Sequence, residues 1–216
     1  METFYDISLK HPRRFLICGP SGSGKSTFVE KLLFYQQSLF GFKFDTIIYY
    51  SGQSFPQFDF IHEIPIVKLD KMNQNIIDCM NPNKRNLLII DDNMHDSAND
   101  RLISDLFTKL SHHRNITVII ILKNLLPKSK YLRDISGNST YLVLMSNPRE
   151  TQQIKTLSIQ IDGSLFIFNC YIQATKDKPF GYLFLDFDQL TSQDVKVRTG
   201  IFPDEETYVY LKVPKI

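Results

Sequence analysis

The chain has 216 residues, 43% of them hydrophobic and 22% charged, with a formal net charge of +2. That composition suits one globular domain, or one domain with an extension, and excludes a disordered or low-complexity chain. The near balance of charge excludes a general polycation, so any nucleic-acid contact must come from a local patch.

The first apolar run, Phe15 to Cys18, reads as a buried strand. A Gly-rich turn follows, then a helix from about Lys25 to about Ser38. Gly19, Gly24, Lys25 and Ser26 fit the phosphate-loop spacing G-x-x-x-x-G-K-S/T. Gly22 and Gly24 let the backbone turn so that successive N–H groups point inward at an anion. The helix start adds unpaired N–H groups and the positive end of its dipole. Gly19, Pro20, Ser21, Gly22, Ser23, Gly24, Lys25, Ser26 and Thr27 are therefore expected to cradle ATP. In that cradle Lys25 reaches the β- and γ-phosphates, Ser26 ligates Mg²⁺ and Thr27 contacts the α-phosphate.

Further along, Phe44 to Tyr50 is a strand by its β-branched and aromatic content, and Gly52 to Phe60 is loop. Ile64 to Val67 is a short strand that Pro65 confines to an edge. Helical spacing runs from Asp70 to Met80, and Asn81 to Arg85 is a turn. Leu87 to Ile90 is a buried strand, Asn99 to Leu110 an amphipathic helix and Thr117 to Leu122 the next strand. Lys128 to Ser136 is a short helix and Tyr141 to Met145 a strand. The alternation predicts a three-layer α/β fold of P-loop NTPase type (RecA/ASCE-like), with a mostly parallel central sheet. Residues 1–149 form its core, and 150–216 a C-terminal extension packed on it. In that extension Glu150–Gln160 and Leu165–Ala174 are helical, and Tyr182–Phe187, Val195–Arg198 and Tyr208–Val213 are strands.

A second constellation is Leu87-Leu-Ile-Ile-Asp-Asp92. Four apolar residues followed by an acid place that carboxylate at the carboxyl end of a strand, where open α/β sheets bind ligands. Asp91 is expected to hold Mg²⁺ through water, opposite Ser26, and Asp92 to act as general base toward an attacking water. The bland alternative is an Asp pair capping the next helix.

The strand Thr117–Leu122 ends in Lys123 and Asn124, candidates to touch the γ-phosphate. Between Lys109 and Arg133 lie Arg114, Lys123, Lys128 and Lys130 as well, without an Asp or Glu. Arg114, Lys128 and Lys130 are the expected contacts to a nucleic-acid backbone, against the alternative of a solvated face. His112 and His113 lack partners at metal-ligand spacing. Cys18, Cys79 and Cys170 form no close pair, which points to a reducing compartment. The N-terminal residues include Glu2 and Asp6 and show no signal-peptide pattern. Ile116 to Leu122 is too short to span a bilayer, so neither secretion nor a membrane-spanning segment is expected.

The phosphate loop, the Leu87–Asp92 strand and His113-Arg-Asn-Ile-Thr117 leading into Ile121-Leu-Lys-Asn-Leu-Leu-Pro127 resemble viral genome-packaging ATPases of the FtsK–HerA superfamily. The branch is that shared by poxvirus-type large DNA viruses and Polinton-like or adintovirus elements. Lys130–Ser136, Tyr141–Arg149 and Ala174-Thr175 followed by Phe180–Asp186 are similar to the Polinton-type members in particular. The family's usual Thr-Gln at the end of the sensor strand is replaced here by Leu122-Lys123-Asn124.

The resemblance implies a ring of identical subunits that drives double-stranded DNA into a preformed capsid, with ATP bound between subunits. It implies viral capsid components as partners and action inside the host cell, in cytoplasm or nucleus or with the virion. A neighbour's arginine would neutralise transition-state charge. Arg133 is the first candidate, Arg114 the second and Arg101 the third. Two other classes share the phosphate loop: a small-molecule kinase, and a nucleotide-gated binding protein with little turnover.

Overall fold

The computed structural model describes residues 5–51, 66–69, 80–91, 103–105, 107, 114–125, 137–176 and 178–212. Six strands run parallel: β1 (Arg14–Cys18), β2 (Thr46–Ser51), β3 (Ile66–Leu69), β4 (Asn86–Asp91), β5 (Ile116–Leu122) and β6 (Tyr141–Met145). Three antiparallel strands follow: β7 (Tyr182–Asp186), β8 (Val197–Thr199) and β9 (Tyr208–Val209). All belong to one sheet in the order β3-β2-β4-β5-β1-β6-β7-β8-β9. The α/β fold with a mostly parallel sheet is as the sequence predicts.

The central strands read as unbroken apolar runs because both of their faces are covered. On β1, Phe15 and Ile17 face one layer with Phe28, Val29, Leu32 and Leu33 of α1 (Lys25–Phe34) and Phe40 of α2 (Gln36–Phe40). Leu16 and Cys18 face the other, with Ile154 and Leu157 of α3 (Thr151–Asp162) and Ile167, Cys170 and Ala174 of α4 (Phe166–Thr175). Each buried Leu, Ile or Phe contributes about 1.5–3 kcal/mol relative to exposure, so these two layers fix the register of β1 between β5 and β6. Among the described residues, no helix is long and apolar enough to cross a membrane.

The first helix differs from its predicted single run to Ser38. It breaks at Tyr35, whose φ of −92° and ψ of 16° leave the helical region. The break turns Gln36 inward, where its amide donates to the Leu33 carbonyl at 2.9 Å and accepts from the Phe44 N–H at 2.7 Å. Satisfying that buried amide ties the helix layer to the chain entering β2.

Residues 182–209 continue the sheet beyond β6, and the predicted strand at 208–213 is two residues long. This segment also grips α1. The Lys31 ammonium pairs with Glu205 at 2.6 Å and Asp204 at 3.0 Å, and Phe28 packs edge-on against Tyr182 and Phe202. The predicted helix at 128–136, and most of those at 70–80 and 99–110, lie outside the described residues.

Candidate nucleotide site

The loop between β1 and α1 begins where β1 is still paired on both sides. Cys18 lies beside Leu122 of β5 and Leu144 of β6, and the Gly19 N–H extends the ladder to the Leu122 carbonyl at 3.1 Å. A Cβ on Gly19 would stand 2.6 Å from Met145 Cβ and 2.7 Å from Ser23 Oγ, so only glycine lets the loop fold back here. The Ser23 N–H then closes a turn on the Pro20 carbonyl at 3.2 Å.

Gly24 sits at the N-cap of α1 with φ of 95°, a left-handed conformation that suits glycine. No side chain caps α1 and no acid occupies its first turn. Its leading N–H groups and dipole are therefore directed at whatever fills the loop. Ser21, Gly22, Ser26 and Thr27 are exposed, and Lys25 is half-buried. The Lys25 ammonium donates to the Gly19 carbonyl at 2.6 Å and the Pro20 carbonyl at 2.7 Å, which holds it over the mouth of the loop. The Ser23 hydroxyl is buried and has no hydrogen-bond partner among the described residues. An uncapped helix start, a lysine at the mouth and an orphaned hydroxyl all fit a polyphosphate.

Sheet order sets the rest of the geometry. Strand β5 lies between β1 and β4, and Asp91 is level with Ile121, as Cys18 is with Leu122. Asp91 thus stands at the same sheet edge as the loop, two strand spacings or roughly 10 Å away. That gap suits a hydrated cation held from one side by Asp91 and from the other by Ser26, since Mg²⁺ keeps several of its waters. The structure brings Gly19–Thr27, Asp91, Lys123 and Asn124 to this one edge. Asp92, Arg101, Lys128, Lys130 and Arg133 lie outside the described residues.

Arg114 does not join them. It precedes β5, at the opposite end of the strand from Lys123. At about 3.3 Å per residue the two are separated by more than about 20 Å. Arg114 and Lys123 therefore lie at opposite ends of β5 and do not share one patch.

Three residues near this edge were not singled out by the sequence. The Tyr49 hydroxyl donates to the Asp91 carboxylate at 2.7 Å. Burial, and then the Asp91 charge, push the Tyr49 phenol upward, so it stays protonated as the donor. Glu150 is buried behind the end of β5, where it accepts from the Leu125 N–H at 3.3 Å; with its amide nitrogen turned inward, Asn124 donates to the same oxygen at 3.3 Å. Burial raises the Glu150 carboxyl above its ordinary value. Phe180, between α4 and β7, lies against Gly24. Strand pairing would have exposed Tyr49, because its alternation in β2 puts it on the face shared with Ile47, but the neighbour of β2 is not written in the sequence.

No protein-family model matches the chain, and no curated protein sequence does. Solved structures do. The genome-packaging NTPase of Sulfolobus turreted icosahedral virus 2, in complex with sulfate, superposes with a TM-score of 0.50 at 11% identity, over 94% of this chain and 98% of that one. The same viral protein in complex with ATP-gammaS gives 0.49 at 12% identity, over 92% and 96%. A KaiC-like protein from Pyrococcus horikoshii OT3 gives 0.50 at 14% identity, over 93% and 90%. The chain has the P-loop NTPase fold across nearly its whole length.

Proposed function

We propose that the protein is an ATPase whose cycle moves double-stranded viral DNA into a capsid, working as a ring of identical subunits. The observation that carries the hydrolytic half is the placement of Asp91 across β5 from an uncapped, lysine-bearing phosphate loop. In this reading the Gly19–Thr27 backbone binds the phosphates, Lys25 gives up its two loop carbonyls for phosphate oxygens, and Ser26 and Asp91 hold Mg²⁺. When bound there, the cation would supply neutralising charge to the phosphates. Asp92 follows β4 directly and is the assigned general base; Asp92→Asn should slow hydrolysis about 100-fold while leaving nucleotide binding intact. Lys123, next to Asn124 just after β5, is assigned to the γ-phosphate because β5 ends between the loop and the acid.

The DNA half is supported by the residue-level resemblance to packaging ATPases, which runs through Ile121–Pro127, Lys130–Ser136 and Tyr141–Arg149. The viral NTPase that shares the fold adds likeness of architecture. Arg133 is assigned as the cation offered to a neighbour's nucleotide. Lys128 and Lys130 are assigned to the DNA backbone, so their replacement by Ala should flatten the salt dependence of duplex binding.

The test is the ATP hydrolysis rate with and without duplex DNA, measured beside the native mass. Stimulation by DNA of any sequence in an oligomer supports the motor. Turnover that needs a small acceptor supports a kinase, and slow turnover indifferent to DNA supports a nucleotide-gated binder.

A further inference from the structure

The phosphate loop has two flanks. On one side of β1 lie β5 and β4 with Lys123 and Asp91; on the other lie β6 and β7. Because β7 runs antiparallel to β6, its first residue Tyr182 pairs with Met145, the last residue of β6. The chain entering β7 therefore reaches the same sheet edge as the loop, on the flank away from the acid.

That chain is a tight turn, Lys178-Pro179-Phe180-Gly181, closed by the Gly181 N–H on the Lys178 carbonyl at 3.0 Å. The Gly181 carbonyl accepts from the Ser146 N–H at 3.0 Å, which fixes the turn to the end of β6. Proline at the second position and a positive φ at the third are the marks of a type II turn, where glycine is the favoured third residue. Here the third residue is Phe180, with φ of 59° and 62% of its surface exposed. A large aromatic in a left-handed conformation, pointing into water, serves neither the core nor the turn. Its Cβ and ring lie 3.0 Å from where a Gly24 Cβ would stand, so the ring borders the loop itself. Beyond it opens a cleft of about 340 Å³ lined by Lys178, Phe180, Thr199, Glu206 and Tyr208.

We propose that Phe180 and this cleft hold the base of the nucleotide whose phosphates occupy the Gly19–Thr27 loop. The inference rests on the nucleotide-binding reading of that loop and adds the subsite at its other end. A γ-phosphate drawn toward Asp91 and Lys123 leaves the nucleoside on the opposite flank, where Phe180 presents an exposed ring against Gly24. Stacking on an aromatic face accepts any base, so the contribution is to affinity more than to choice among bases.

The test is calorimetric titration of the full chain with two probes that are not hydrolysed, Mg·ADP and inorganic pyrophosphate with Mg²⁺. Phe180→Leu keeps an apolar group against Gly24 while removing the π face. It should weaken ADP about tenfold and leave pyrophosphate unchanged, and Phe180→Trp should hold ADP as the native chain does. Native ADP affinity in Phe180→Leu overturns the proposal. So does equal weakening of both probes, which would make Phe180 a support of the loop, or loss of ADP in Phe180→Trp as large as in Phe180→Leu. If the native chain binds neither probe, the phosphate-loop reading itself fails, before any variant is compared.

Discussion

The Tyr49 hydroxyl donates a 2.7 Å hydrogen bond to the Asp91 carboxylate across neighbouring strands β2 and β4. The bond orients the acid that the account assigns to Mg²⁺. Its donor is held in place by the core, since Tyr49 is 1% exposed.

Tyr49→Phe removes that donor and little else. Partners that orient a metal ligand typically change metal affinity or activity 10–100-fold. The Mg²⁺ concentration for half-maximal ATP hydrolysis should therefore rise about tenfold, while stability falls by only about 1 kcal/mol. A magnesium titration of the hydrolysis rate checks this, and an unchanged midpoint would separate Tyr49 from the metal.

His11 gives the fold an acid-sensitive point away from the site. Its Nδ1 lies 2.7 Å from Thr117 Oγ1, and its ring packs edge-on against Phe42 and Phe44. Burial, helped by the Arg85 and Arg13 charges, lowers its imidazole to about 4. Between an ordinary imidazole value of about 6.5 and that lowered value, the unfolded chain binds a proton that the folded chain does not. Stability should be fully present above about pH 6.5 and decline as pH falls toward 4, by about 2 kcal/mol after allowance for partial exposure. Urea melts across that window should show the slope, and His11→Asn should flatten it.

Asp186 and Arg198 form an ion pair at 3.2 Å, each side chain 1% exposed, beneath the β7–β8 pairing. Arg198 also donates to the Val195 carbonyl at 2.5 Å and lies 4.7 Å from the Phe184 ring centre. Asp186→Ala leaves a buried guanidinium without its counter-charge and should cost about 3–5 kcal/mol. Adding Arg198→Met should restore part of that loss, because both charges are then gone. Equilibrium denaturation of the three variants checks the order.

The parallel half of the fold was legible because it is written locally. Runs such as Ile116–Leu122 are short and rich in β-branched residues, which favours a central strand, and Gly19–Ser26 states its own backbone needs. The placement of Lys123 and Asp91 beside the loop followed from strand ends and came out at one edge. What stayed hidden depends on which strands are neighbours. Tyr49 meets Asp91, and Glu150 meets Asn124, only through a sheet order that no single stretch encodes. The break at Tyr35 was hidden for a related reason: Gln36 turns inward to satisfy Phe44, eight residues away. Phe180 stands in a stretch that carries the resemblance, but only its positive φ and its contact with Gly24 show that it borders the loop.

The central claim is that the Gly19–Thr27 loop and Asp91 form an ATP-hydrolysing site. Phosphate release from ATP by the native chain and by Lys25→Ala, each with and without Mg²⁺, tests it most directly. Lys25 is half-buried and donates to the Gly19 and Pro20 carbonyls of the loop, so the unfolding midpoint of Lys25→Ala is measured beside its activity to show that the variant is folded. The account predicts magnesium-dependent release by the native chain and a loss of at least about 100-fold in Lys25→Ala. Full activity in a folded Lys25→Ala protein would contradict it.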